Sequence, residues 1–106
     1  MIAARHPALL DTLRTVTQRG QIELMSFHYS DQLFLAFPRE DLERSIAATK
    51  AIFAAHCLPL AGSVFDQEGQ AGEGRQDVLV QEGYTVGVFP KNLWKHQHGD
   101  GPRWPY

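Results

Sequence analysis

The stretch from Ile22 to Cys57 constrains this chain more than any other. Apolar residues crowd Ile22–Tyr29 and Leu33–Phe37, a polar break falls at Ser30-Asp31, and Pro38 leads into an alanine-rich run. Two short apolar segments around a tight polar turn predict a hairpin. The run from Arg39 to Cys57 predicts a helix fed directly by it. In the first strand Ile22 and Leu24 share one face, and Met25, Phe27 and Tyr29 share the other. In the second, Leu33, Leu35 and Phe37 oppose Phe34 and Ala36. Neither strand has a wet side. A sheet apolar on both faces is either covered twice or shared with another subunit.

The helix after Pro38 places Leu42, Ile46, Phe53 and Cys57 on one face, with Thr49 and His56 beside them. Glu40 and Asp41 sit in its first turn, where the positive end of the helix dipole favours them. Ala48, Ala51 and Ala55 form a small-residue stripe on its back. Pro59 ends it, because the residue before a proline avoids the helical region. Upstream, Pro7–Arg19 predicts a first helix, with Leu9, Leu13 and Val16 on one face and Gly20 as its terminator.

Downstream, Leu60–Asp66 predicts a third strand and Gln67–Arg75 a polar, glycine-rich loop. Asp77–Gln81 and Tyr84–Phe89 predict strands four and five around a turn at Glu82-Gly83, with Val86 and Val88 on one face of the fifth, and Pro90 stops the sheet. The expected fold class is therefore α+β in the order α-β-β-α-β-β-β, a mainly antiparallel sheet with helices packed on one face. That order resembles roadblock- and profilin-type sheets, a likeness of element order that implies pairing of two subunits through a sheet or helix surface.

At 106 residues the expectation is a single domain over 1–90 with an irregular tail over 91–106. A net charge of −2 gives no general attraction to nucleic acid or to an anionic membrane. One cysteine permits no internal disulfide and fits a reducing compartment, so a cytoplasmic protein is expected. The start carries no signal-peptide pattern and no stretch reaches the ~20 apolar residues of a membrane span.

Candidate chemistry is sparse. His96, His98 and Asp100 have metal-ligand spacing, since two histidines at i and i+2 of an extended segment can meet one ion. The run resembles the H-x-H-x-D of metallo-β-lactamase-type hydrolases over five residues, in a chain too short for that fold. His56 and Cys57 are adjacent on a helix and point about 100° apart, which is no nucleophile–base geometry. The glycines at 69, 72 and 74 lack the Lys and Ser/Thr of a P-loop, and the expected continuation into a strand excludes a dinucleotide fingerprint. No cofactor is expected.

The tail interleaves cations with aromatics: Trp94, Lys95, Arg103, Trp104 and Tyr106. Such residues concentrate binding energy at protein interfaces, stack on single-stranded nucleic acid, or dock on the chain's own surface. Residues 61–89 carry five acidic residues and one basic one, a complement to the tail. The functional expectation is a non-enzymatic binding protein acting through a protein–protein surface, a homodimer, possessing an accessory or inhibitory role such as those of mobile elements. The alternatives are a metal or ligand binder using His96, His98 and Asp100, and a single-stranded nucleic-acid binder using the tail.

Overall fold

Three helices in this chain end in the same way. In α2 (Pro7–Gln18) the Gly20 N–H donates to Thr17 O at 3.0 Å and the Gln21 N–H to Val16 O at 3.0 Å. In α3 (Arg39–Ala55) the Cys57 N–H donates to Ala54 O at 3.0 Å and the Leu58 N–H to Phe53 O at 2.9 Å. In α4 (Glu73–Gln81) the Gly83 N–H donates to Val80 O at 3.0 Å and the Tyr84 N–H to Leu79 O at 2.9 Å. These paired bonds are Schellman turns, which satisfy carbonyls that the helix leaves open and need a left-handed residue at the turn. Gly20 and Gly83 supply φ of 67° and 87° without strain; Cys57 is forced to φ 54°.

The computed structural model describes residues 2–26, 28–29, 36–65, 72–90, 92, 95–96 and 99. Their elements run α1 (Ile2–Arg5), α2, α3, β1 (Ser63–Phe65), α4 and β2 (Val86–Val88). The two strands are parallel, with Ser63 opposite Val86, Val64 opposite Gly87 and Phe65 opposite Val88. Parallel neighbours cannot be joined by a tight turn, and α4 makes the crossover. The core lies where α3 and α4 meet the sheet: Leu42 and Ile46, Val64, Val78 and Leu79, and Tyr84, with Leu60 packed against them.

Helix periodicity explains each buried face. Leu42, Ile46 and Thr49 fall at i, i+4 and i+7 of α3 and are all buried. Arg75, Val78 and Leu79 fall at i, i+3 and i+4 of α4 and are buried likewise. Two cations then tie helix ends together. Arg14 of α2 donates from Nε to the His56 carbonyl at 2.7 Å, and Lys50 of α3 donates to the Glu82 carbonyl at 2.8 Å. Each places positive charge at the negative end of another helix.

This architecture corrects the expected α-β-β-α-β-β-β order and its mainly antiparallel sheet. Among the described residues one sheet exists, with two parallel strands. The segment Asp77–Gln81, expected as a strand, is the body of α4, and Glu82-Gly83 is its terminating turn rather than a hairpin. Glu73–Arg75, expected in a loop, is its first turn; residues 66–71 lie outside the described residues. The expected first strand is not one over 22–26 and 28–29. Among the described residues its groups bond to separate parts of the chain: Leu24 O accepts from the Ala61 N–H at 2.9 Å, Ser26 O from Tyr84 Oη at 3.1 Å, and the Tyr29 N–H donates to Ser45 Oγ at 2.7 Å. Of the expected second strand, Ala36 and Phe37 are non-strand and 33–35 lie outside the described residues. Both main helices are present over nearly their expected spans, but Cys57 is exposed, Phe53 is only half-buried, and Ala51 and Ala55 of the small-residue stripe face solvent.

Cys57 is the one non-glycine with positive φ among the described residues. Replacing it by glycine removes a left-handed penalty of about 1–2 kcal/mol, partly offset by the greater freedom glycine loses on folding. Cys57→Gly is therefore expected to stabilise the chain by roughly 0.5–1 kcal/mol in urea unfolding. A destabilised variant would show that α3 does not end in this turn.

Candidate functional site

Alternation along the two strands separates their side chains cleanly. Val64 points into the core and is 1 % exposed, on the same face as Gly87. Phe65, Val86 and Val88 share the opposite face with Ser63. Its three apolar side chains are about half exposed: Phe65 50 %, Val86 54 % and Val88 41 %. Parallel sheets normally carry cover on both faces. Here α3 and α4 bury Val64, while β2 is exposed along its length, Gly87 included, and the opposite face presents three large apolar side chains to solvent.

The position of β2 is set from both ends of its approach. Gly83 turns the chain out of α4, and Tyr84 (4 % exposed) enters the core immediately after it. Its hydroxyl donates to Ser26 O, and the Lys50 ammonium lies 5.8 Å from the centre of its ring. Lys50 also meets the Glu82 carboxylate at 2.5 Å. The Thr85 and Val86 N–H groups then both donate to Gly62 O, at 2.8 and 3.3 Å, which brings β2 into register with β1.

A cleft of about 260 Å³ opens elsewhere, lined by Phe37, Arg39, Leu42, Gly72, Gly74, Arg75 and Val78. Gly72, the residue preceding α4, is extended (φ −164°) and leaves the first helical N–H groups without a side-chain cap. Arg75 is buried there, and desolvation lowers its pKa to about 10, which leaves it cationic at neutral pH. The other guanidinium at the cleft is already engaged: Arg39 pairs with Glu43 at 2.6 Å and with Gln81 Oε1 at 2.5 Å. The charge available to an anion is thus largely spoken for within the fold. The helix after the glycine-bearing connection corrects the expectation that a strand follows it.

Of the tail residues singled out by sequence, Lys95 and His96 are exposed in a helical turn closed by the Gly99 N–H on Lys95 O at 2.9 Å. Trp94, His98, Asp100, Arg103, Trp104 and Tyr106 lie outside the described residues. Among the described residues no group of three or more His, Cys, Asp or Glu side chains could hold a metal ion, and no helix is long and apolar enough to cross a membrane. Sequence reading put Val86 and Val88 on one strand face but missed Phe65 as their neighbour. The signal was the matched alternation of Ser63-Val64-Phe65 and Val86-Gly87-Val88, legible only once the strands are known to be parallel.

Comparison with protein-family models, curated proteins and solved structures finds no match.

Burial, and after it the charge of Glu82, raises the Tyr84 phenol above its ordinary value of 10.0. The folded chain therefore holds this proton more tightly than the unfolded chain does. That contribution to stability is whole below pH 10 and is lost as pH rises through the higher folded value. In a phenolate absorbance titration, the step that Tyr84→Phe removes is expected to lie above the ordinary tyrosine value of 10.0. Loss of a step at or below that value would contradict the buried position of Tyr84.

Proposed function

We propose that this chain is a non-enzymatic binding protein that acts through a protein–protein surface, and that the surface is the bare sheet face of Phe65, Val86 and Val88. The observation that carries the reading is the contrast between Val64 and the three apolar side chains on the other side of the same parallel sheet. Val64 is sealed under two helices, while its neighbours on the other side are half exposed. Leaving three such side chains in water forgoes burial worth about 25 cal/mol per Å², and contiguous apolar patches on soluble chains mark interaction sites. An accessory or inhibitory component works in this way, by occupying a partner's surface. The exposed thiol of Cys57 fits the reducing environment of a cytoplasm.

Affinity capture from the native cell extract tests the reading, using the whole chain and its Phe65→Lys variant. The substitution falls on a half-exposed position, so its effect on stability is expected to stay within about 1 kcal/mol. The wild-type chain should retain a protein that the variant loses. Equal retention by both, or by neither, would overturn the assignment.

A further inference from the structure

Among the described residues β2 is paired on one side only, and its outer edge carries the donor and acceptor of a single residue. In a strand, the N–H and C=O of one residue point to the same side and alternate along the chain. The Val86 N–H donates inward to Gly62 O, so the Gly87 N–H and C=O face outward. The edge carries neither charges nor a proline within the strand, two of the usual safeguards against pairing. From Gly83 to Pro90 there is no charged residue. Its sequence, Val86-Gly87-Val88, reads identically in both directions.

We infer that β2 pairs antiparallel with β2 of a second copy of this chain, about a two-fold axis at Gly87. Each Gly87 N–H donates to the partner's Gly87 C=O, and Val86 stands opposite the partner's Val88. A palindromic, uncharged edge is self-complementary, which an isologous contact demands and which an arbitrary partner strand would not need. The marginal two-stranded sheet becomes four-stranded. The face of Phe65, Val86 and Val88, roughly 250 Å² per chain, doubles to about 500 Å², the size of a functional patch. So short an edge buries well under ~1,200 Å² in total, the range of weak, reversible contacts; the dimer is concentration-dependent. This inference extends the binding reading above and rests on it for the use of the joined face.

Sedimentation equilibrium of the whole chain up to about 1 mM tests it. The wild type should pass from monomer to dimer. The double variant Val86→Lys/Val88→Lys sets like charges opposite one another across the axis and should weaken self-association by at least about tenfold. The double variant Val86→Glu/Val88→Glu should behave alike, and mixing the two should restore a dimer, with unchanged far-ultraviolet dichroism showing that each is folded. A wild type that stays monomeric, a lysine variant that dimerises as the wild type does, or folded variants that fail to associate on mixing would each overturn the inference. A monomeric chain whose capture of a different protein still depends on Phe65 would sink the dimer and leave the binding reading standing.

Discussion

Parallel pairing of β1 with β2 is the constraint from which the rest of the fold follows. Strands running the same way need a long return path between them, and here that path contains α4. Once α4 lies across the sheet, Val78 and Leu79 are fixed over Val64, and α3 must close the remaining side with Leu42 and Ile46. Tyr84 completes the cluster as the chain turns back. Among the described residues six apolar side chains form the buried core, with Val64 as the contribution of the sheet. Phe65, Val86 and Val88, on the side of the sheet away from Val64, remain about half exposed.

Two cations among the described residues hold helix ends in place. Arg14 and Lys50 each carry a cation from one helix to the final carbonyls of another, where the dipole makes a positive charge favourable. Lys50 meets a carboxylate and an aromatic face in the same stroke, so it links α3 to the turn that aims β2. Arg39, which by position alone would be an anion anchor, is consumed by Glu43 and Gln81. Arg14, Lys50 and Arg39 are therefore committed to architecture.

Helices α2 and α3 were legible because their apolar residues recur with helical spacing and their ends carry recognisable breakers. The crossover helix was not. Arg75 occupies the position where its buried stripe would begin, and the following Val78-Leu79-Val80 is rich in β-branched residues, so local preference and alternation both favoured a strand. Tertiary burial overrode them. The same error turned a helix-terminating glycine, Gly83, into a hairpin turn and made the sheet antiparallel on paper. Apolar crowding at 22–29 likewise suggested a strand, but among the described residues its backbone bonds reach Ala61, Tyr84 and Ser45, each in a different part of the chain. The bare face was half legible: alternation gave Val86 and Val88, while Phe65 needed the parallel register.

The crossover is best tested by nuclear magnetic resonance of the whole chain, because two incompatible structures of residues 73–89 predict different signals. A parallel unit bridged by α4 gives helical carbon shifts over 73–81 and cross-strand contacts that pair Ser63 with Val86 and Phe65 with Val88. Extended shifts over 77–81, with close α-proton contacts between that segment and 84–89, would establish a hairpin there and contradict the parallel sheet, its one-sided core and its bare face together.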